Sequence, residues 1–306
     1  MKSKNKIKHI LLTLLIILLG ISILNLSNLN LSTGNLKVDK NLRLSKISDK
    51  ISIDGNSDWI ALKNAGNCTG SGITTDPYVI KNLIINGSGV GSCIMIQNTD
   101  VHFVILNCTI FNSGGLDIFD LDAGIKLLNA SNGKFINNTL SNNNYGVYGE
   151  YSHNTVMIGN DIQSTYAIKL LYCNNSLAYF NNIKGTDINL FYQDMTLRFY
   201  SEQKMIFKYE GKTYKKYIGN YWKDYETIWS GTDNNNDGIG DVPIISGDIE
   251  GLVIDGFPLF YPIENYEIIG IGSEEAIPGY NLVYLFGIAF IMSIFAIKKK
   301  RNNLLK

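Results

Sequence analysis

Several residue types are scarce in this 306-residue chain, and each scarcity excludes a class of protein. Charged residues make up 18% of the chain and the net charge is zero, so no nucleic-acid partner is predicted, because nucleic-acid interfaces are strongly basic. There are only 5 prolines and 4 cysteines. The cysteines show no CxxC or other metal spacing, and both disulfides and buried free thiols remain compatible with them. Intrinsic disorder is excluded, since 45% of the residues are hydrophobic and can form a core.

A repeat occupies the middle of the chain. GIKLLNASNGKFINNTL begins at Gly124, GVYGEYSHNTVMIGNDI at Gly146 and AIKLLYCNNSLAYFNNI at Ala167, and a fixed period of this length is typical of a solenoid. Apolar residues alternate within each copy, as in strands. Asparagines, which suit left-handed turns and can form ladders, recur in register at two corners (Asn132, Asn154, Asn175; Asn138, Asn160, Asn181). We predict an all-β fold, a right-handed parallel β-helix of 21–22-residue coils.

Both ends of the chain carry apolar runs flanked by basic residues. Residues 1–35 begin with lysines followed by an aliphatic run, which predicts a signal peptide or an uncleaved signal anchor. Residues 279–297 are apolar and uncharged and precede a basic tail, 298–306. This pattern predicts a transmembrane helix with a cytoplasmic C-terminus. The rest of the chain would then face outward from the cell membrane.

The exported part divides into four predicted segments. Residues 36–78 form an N-terminal cap and residues 79–222 the β-helix, with a hairpin inserted near 203–217. Residues 223–265 form an Asp-rich C-terminal cap and residues 266–278 a linker to the membrane. Asn-x-Ser/Thr sequons, several of them in the turns of the repeat, are candidate glycosylation sites in an exported protein: Asn67, Asn86, Asn107, Asn129, Asn137 and Asn174.

An acidic loop in the C-terminal cap is the candidate metal site. Its alternating oxygen-bearing residues, with Gly238 at the bend, are typical of calcium loops: Asp233, Asn235, Asp237, Ile239 (through its carbonyl) and Asp241. An EF-hand would carry a bidentate Glu at position twelve, where this chain has Ile244. The pattern therefore predicts a structural calcium ion, and a solvated turn is the alternative.

Tyrosines in the repeat are candidate carbohydrate-binding residues, because their rings can stack on sugars while their hydroxyls form hydrogen bonds. The predicted carbohydrate-binding residues are Tyr148, Tyr151 and Tyr172, and Tyr145, Tyr166 and Tyr179 are further candidates. A catalytic site would need paired carboxylates or a base beside a carboxylate. The candidate groups for such a site are Asp117, Asp120, Asp122, Lys126, Glu150 and Lys169. Lys126 and Lys169 occupy the same position of the repeat, but no cluster of acidic and basic residues recurs along one face. No catalytic residue is therefore assigned.

A second motif follows the repeat. Gly219-Asn220-Tyr221-Trp222, then Asp224-Tyr225, the Asp233–Asp241 loop and Pro243 resemble the NosD-like right-handed parallel β-helix proteins over roughly residues 50–265. That family includes carbohydrate-binding and sugar-hydrolase domains and many archaeal cell-surface proteins with C-terminal anchors. The resemblance also implies copper-site maturation, but the three histidines (His9, His102, His153) and six methionines show no cluster, so copper is not predicted.

The sequence thus favours a membrane-anchored surface protein with a binding or structural role, in adhesion or in recognition of a polysaccharide or surface glycan. The alternative hypothesis is a carbohydrate-active enzyme, a lyase, hydrolase or epimerase, that acts in the groove of the β-helix. A cleft that gathers two or three carboxylates with a lysine or arginine would favour the enzyme.

Overall fold

Each turn of the chain contributes one strand to each of three parallel sheets. The structure, a computed structural model, describes residues 45–115, 121–185, 187–191, 197–245 and 253–272. In each of the three sheets, every strand pairs with the strand that the next coil contributes to the same sheet. The predicted parallel β-helix is therefore confirmed, with three strands per coil where the sequence had indicated two sets of alternating residues.

The three parallel sheets have six or seven strands each. Sheet A contains β1 (Lys46–Ser48), β4 (Leu83–Asn86), β7 (Thr109–Phe111), β10 (Thr139–Ser141), β13 (Asp161–Gln163), β16 (Asn182–Ile183) and β21 (Tyr221–Trp222). Sheet B contains β2 (Ile51–Asp54), β5 (Ile94–Thr99), β8 (Ala123–Ala130), β11 (Tyr145–Glu150), β14 (Tyr166–Leu171) and β17 (Asp187–Phe191). Sheet C contains β3 (Tyr78–Lys81), β6 (Phe103–Leu106), β9 (Gly133–Ile136), β12 (Val156–Ile158), β15 (Ser176–Tyr179) and β18 (Leu197–Arg198).

Aliphatic side chains fill the interior because strand alternation turns every second residue inward. Ile125, Val147 and Ile168 lie in register on consecutive strands of sheet B and are at most 1% exposed. This is the alignment that the repeat predicted. Leu140 and Ile162 stack in the same way in sheet A.

A short helix closes the N-terminal end. Helix α1 (Asn56–Asn64) follows β2 and buries one residue, Trp59. The Trp59 ring stacks on Tyr78 with centroids 5.1 Å apart, and its Nε1 donates to Thr99 Oγ1 at 3.3 Å. An open solenoid end would expose core and strand edges. The region predicted as a cap, 36–78, therefore contains both the cap helix and strands of the first coil.

An antiparallel sheet lies beside the C-terminal coils. It consists of β19 (Met205–Tyr209), β20 (Lys212–Lys216) and β24 (Tyr266–Ile271), in the order β20-β19-β24. Strands β19 and β20 form an antiparallel hairpin within residues 203–217, the segment for which the sequence predicts one. The linker predicted at 266–278 is wrong over residues 266–271, because these residues pair with β19. In the sequence between β20 and β24, the chain also forms helix α2 (Tyr225–Ile228), the antiparallel strand pair β22 (Ile244–Ile245) and β23 (Val253–Asp255), and a 3₁₀ turn (Ile263–Asn265).

Both predicted asparagine ladders are present. At the exposed corner, Asn175 Nδ2 donates to Asn154 Oδ1 at 2.7 Å, and Asn154 Nδ2 donates to Asn132 Oδ1 at 3.0 Å. The second ladder is buried, with its members at most 1% exposed. The amide oxygens of Asn160, Asn181 and Asn220 each accept from the backbone N and the side-chain Nδ2 of the asparagine one coil earlier, and that of Asn138 accepts from Cys108 N. Its members are Asn138, Asn160, Asn181 and Asn220.

A buried carboxylate terminates this second ladder. Asp255 is 0% exposed, and its Oδ2 accepts from Asn220 N and Trp222 Nε1, both at 2.8 Å. Its Oδ1 accepts from Phe257 N at 3.0 Å. Gly219 packs against the carboxylate so closely that any Cβ there would overlap it. The Gly-Asn-Tyr-Trp motif is therefore the receptor for Asp255, which seals the last coil.

Both predicted membrane-directed segments, 1–35 and 279–297, lie outside the described residues. Within the described part, no helix is long and apolar enough to cross a bilayer. All four cysteines are buried free thiols.

Candidate functional site

The outer face of sheet B carries a column of lysine and tyrosine. Lys126, Tyr148 and Lys169 occupy one register position on consecutive strands. Tyr148 is nevertheless 0% exposed, because it belongs to a small hydrophobic cluster outside the coil, formed with Ala123, Tyr145, Leu121, Leu128, Tyr166 and Leu171. The prediction that Tyr148 offers an open stacking face to a sugar is therefore wrong, and Tyr145 is buried with it.

The side chains of this column do not provide a general base. The Lys126 ammonium lies 5.5 Å from the centre of the Tyr148 ring, and the Tyr148 hydroxyl donates to Glu150 Oε2 at 3.1 Å. Burial, and then the Glu150 charge, raises the pKa of the Tyr148 phenol. A phenol that holds its proton so firmly is a poor general base. Asp122 accepts instead from Ser92 Oγ at 3.3 Å, and Asp117 and Asp120 lie outside the described residues.

Tyr151 and Tyr172 form an exposed stack, which we call the tyrosine ridge. They follow sheet B at the corner where earlier coils carry Asn98 and Asn129, and all four have left-handed backbone, with φ between 49° and 54°. The two rings are 4.8 Å apart and inclined by 8°, with residue exposures of 53% and 41%. Each ring covers one face of the other, so the ridge presents ring edges and hydroxyls.

A cavity of about 240 Å³ begins three residues beyond the ridge. It lies on the outer side of sheet C, between its last two coils, and is lined by Asn175, Ser176, Leu177, Leu197, Arg198 and Glu202. The Arg198 guanidinium lies over the Tyr200 ring at 5.5 Å, and its Nη1 is 3.8 Å from Glu202 Oε1. The cavity thus combines two leucines with a cation, a carboxylate and an amide.

The acidic loop uses its oxygens within the protein. Both Asp233 oxygens accept backbone N–H groups of residues 237 and 238, and Asn235 Oδ1 also accepts from Asp237 N. Asp237 accepts from Ile239 N and from the ammonium of Lys216 on the hairpin. Asp241 Oδ2 accepts from Asn234 N at 2.7 Å. Among the described residues no three His, Cys, Asp or Glu side chains group as metal ligands.

Sequence reasoning missed three residues that matter here. Arg198 and Glu202 were unassigned, although Arg198 is one of only three arginines, with Arg43 and Arg301, and it falls in register with Leu177 of the repeat. No motif in the sequence around Asp255 indicates its role. Its partner Asn220 belonged to the motif, but the two residues are 35 positions apart.

One comparison with known proteins gives a match. The sequence model of the family described as "Periplasmic copper-binding protein (NosD)" matches residues 15–227, which is well over half of the chain. No curated protein and no solved structure matches.

Copper requires soft or imidazole donors grouped at one site, and the described residues do not fit this requirement. Burial raises the pKa of Cys93 and Cys108 to about 11, so these thiols stay protonated, whereas a metal binds the thiolate. His102 Nε2 is hydrogen-bonded to Thr74 Oγ1 at 2.9 Å. His153 Nδ1 accepts from Asn174 N at 3.0 Å.

The family assignment therefore rests on the coil architecture and the sequence match rather than on a copper site. The matched region covers all the coils of the β-helix and the Gly-Asn-Tyr-Trp motif that receives Asp255. The chain belongs to the NosD family of parallel β-helix proteins.

Proposed function

We propose that the protein is a non-catalytic binding protein of the cell surface, which recognises carbohydrate along the tyrosine ridge. The proposal includes export directed by residues 1–35, anchoring by residues 279–297 with residues 298–306 in the cytoplasm, and an ectodomain facing outward. A periplasmic family description supports placement outside the cytoplasm. The observation that carries the binding role is the exposed pair Tyr151 and Tyr172.

The tyrosine ridge is costly for the fold. A non-glycine residue in left-handed backbone costs about 1–2 kcal/mol, and Asn tolerates this conformation better than Tyr. Asn98 and Asn129 at the same corner also bond to each other along the axis, at 3.3 Å. Tyr151 and Tyr172 give up this ladder and expose large rings. Local rules are broken most often at functional sites, so the exposed rings support a ligand.

The chemistry of the ridge suits a sugar polymer. Tyrosine combines an apolar ring with a hydroxyl that both donates and accepts. Asn154 and Asn175 come three residues after the two tyrosines, at the next corner of the same two coils, where their side-chain amides are hydrogen-bonded to each other. A polysaccharide that lies along the ridge would meet ring edges on one side and amides on the other.

The decisive experiment replaces both tyrosines by the residue that the corner otherwise carries. In Tyr151→Asn/Tyr172→Asn we expect the melting temperature to stay level or rise, while binding on a glycan array is lost. Tyr261→Asn, which removes a 43% exposed tyrosine from the C-terminal cap, is the matched control and should bind as wild type. Unchanged glycan binding by the double variant would refute the ridge as the site.

Anchoring is tested separately. In a chain whose residues 1–35 are replaced by a cleavable signal peptide, deletion of residues 279–306 should move the protein from the membrane fraction to the soluble fraction, whereas removal of the basic tail alone should not. Recovery of the truncated protein with the membranes would contradict the proposed anchor. The glycosylation sites remain predictions: of the six asparagines, Asn86, Asn107, Asn129 and Asn174 are exposed and Asn67 and Asn137 half-buried.

Structural calcium also remains a prediction, at Asp233, Asn235, Asp237, Ile239 and Asp241. If the ion binds, chelation should lower the thermal stability and the protease resistance of the C-terminal cap. Unchanged values after chelation would rule it out. The Lys216 ammonium already neutralises Asp237, so the loop has an internal source of the positive charge that calcium would supply.

A second candidate function is carbohydrate-active catalysis at the column of Lys126, Tyr148 and Lys169. The observation in its favour is that Glu150 contacts the Tyr148 hydroxyl between two lysines. Incubation of acidic and neutral polysaccharides with the protein, followed by detection of new chain ends, tests it. New ends formed by the wild type but not by a Lys126→Met/Lys169→Met variant would establish the enzyme.

A further inference from the structure

The cavity beside the tyrosine ridge is lined by a positively charged side chain, which a site for a neutral sugar does not require. Its lining includes Arg198, which is 48% exposed at its side chain. Arginine usually occupies sites where a planar carboxylate or phosphate is recognised. Arg198, on the last strand of sheet C, lies one coil beyond the coil that carries Tyr172 and Asn175, next to Leu177.

Arg198 is oriented but only loosely paired. The Tyr200 ring holds the guanidinium from one side at 5.5 Å, and such stacking fixes the plane of the fork. The contact with Glu202 is 3.8 Å long, which exceeds a hydrogen bond, and Glu202 is 66% exposed at its side chain. An exposed ion pair of this length contributes little, so a ligand carboxylate could replace Glu202 at small cost.

The remaining lining fits one sugar unit. The cavity of about 240 Å³ is smaller than the roughly 300–1,000 Å³ of sites for drug-sized ligands. Leu177 and Leu197 provide an apolar wall for the C–H face of a ring, and Asn175 provides an amide at the edge. A carboxylate attached to that ring would meet Arg198 as a two-point hydrogen-bonded pair.

We infer that this cavity binds the carboxylate-bearing sugar unit of an acidic polysaccharide, with Arg198 as the residue that selects it. The inference rests on the proposed carbohydrate binding along the tyrosine ridge and adds the class of ligand. The polymer would extend from the ridge into the cavity, so that Tyr151 and Tyr172 contribute affinity and Arg198 contributes discrimination by charge.

The test measures binding of two probes to the full-length protein in detergent: oligomers of galacturonic acid and neutral cello-oligosaccharides. Arg198→Gln should weaken galacturonate binding by about 10–100-fold, the effect of losing a charge-assisted hydrogen-bonded pair, and leave neutral binding unchanged. Arg198→Lys keeps the charge but not the two-point geometry and should fall between them. Melting temperatures should be unchanged, since the side chain is exposed.

Lys134→Gln is the matched control. Lys134 lies in the same outward column of sheet C, three coils before Arg198, and is exposed, so the variant removes one positive charge from the same face without touching the cavity. It should bind galacturonate as wild type does. An equal loss in Lys134→Gln and Arg198→Gln would mean a diffuse charge effect and overturn the inference.

The outcomes separate this inference from the proposed function. If the wild type binds both probes equally and only Tyr151→Asn/Tyr172→Asn abolishes binding, the ridge stands and the Arg198 inference fails. If sulfated oligosaccharides bind and galacturonate does not, the assignment of a carboxylate fails. If no saccharide binds, both proposals fail.

Discussion

The buried asparagine ladder can be tested by removing one rung, Asn160→Ala. Asn160 is 0% exposed, and its Oδ1 accepts from Asn138 N and Asn138 Nδ2, both at 3.0 Å. Its Nδ2 donates to Phe135 O and Asn181 Oδ1, both at 2.9 Å. Alanine would leave two buried donors of Asn138 without their acceptor, at about 1–3 kcal/mol each. We therefore expect a loss of about 2–6 kcal/mol in the free energy of unfolding.

The assay is urea unfolding of the full-length chain in detergent, followed by fluorescence of the buried tryptophans. Hydrogen exchange supplies a local readout, because the Asn138 N–H should exchange much faster in the variant while amides of the first coil keep their rates. Asn154→Gly is the control: it removes an amide from the exposed ladder of the same coil, where water can replace it. Glycine accepts the φ of 56° found there, so the loss should stay below about 1 kcal/mol.

Equal losses in Asn160→Ala and Asn154→Gly would refute the argument, because burial would then not distinguish the two ladders. A double-mutant cycle sharpens the test. Asn181→Ala orphans Asn160 N and Nδ2 in turn, so the losses of Asn160→Ala and Asn181→Ala should be strongly non-additive. Simple additivity would show that the rungs do not act as one chain of hydrogen bonds.

Three further predictions concern the C-terminal end. Burial raises the pKa of Asp255 to about 6, so between about pH 4 and pH 6 only the folded state keeps the proton. Relative to Asp255→Asn, the wild-type free energy of unfolding should therefore fall by roughly 3 kcal/mol as pH rises through this range and be flat above it; a pH-independent difference contradicts this. Gly219→Ala should prevent sealing of the last coil, because the new Cβ overlaps Asp255, whereas Gly270→Ala, with no atom within 4 Å, should unfold in urea as wild type. Lys216→Met should lower stability by about 1–2 kcal/mol and speed proteolysis of the acidic loop, since Asp237, 5% exposed at its side chain, loses its counter-charge; an unchanged rate contradicts this.

The coil was predictable because its signal is local and repeated. The alignment of Gly124, Gly146 and Ala167 places Ile125, Val147 and Ile168 in one column, and the strands pair in that register. Periodicity alone specifies which residues face inward once the coil length is known. It does not specify what covers the outer face, because covering residues come from other coils.

Tyr148 shows this limit. Its outward register position is what the alternation predicts, yet Leu121, Tyr166 and Leu171 from adjacent coils pack around it and remove it from solvent. The acidic loop shows the same limit for charge. The spacing of its oxygens is typical of calcium ligands, but Lys216, which neutralises Asp237, lies 21 residues earlier on a separate hairpin. Both outcomes depend on contacts between segments that no short motif encodes.

The left-handed corners of the coils distinguish residues with a structural role from the residues of the proposed binding site. Where a coil needs positive φ, asparagine satisfies it and adds a ladder bond, as Asn107 does to Asn82 at 2.8 Å. Phe180 breaks the asparagine rule with φ of 55°, but its ring is 2% exposed and packs with the C-terminal antiparallel sheet, so packing offsets its strain. Tyr151 and Tyr172 break the rule while remaining 53% and 41% exposed. Among the described residues, each of the two rings stacks on the other, and an exposed aromatic pair gains by burying its remaining surface against a ligand. An exposed aromatic residue in left-handed backbone is thus the feature that distinguishes the proposed binding surface from the scaffold in this β-helix.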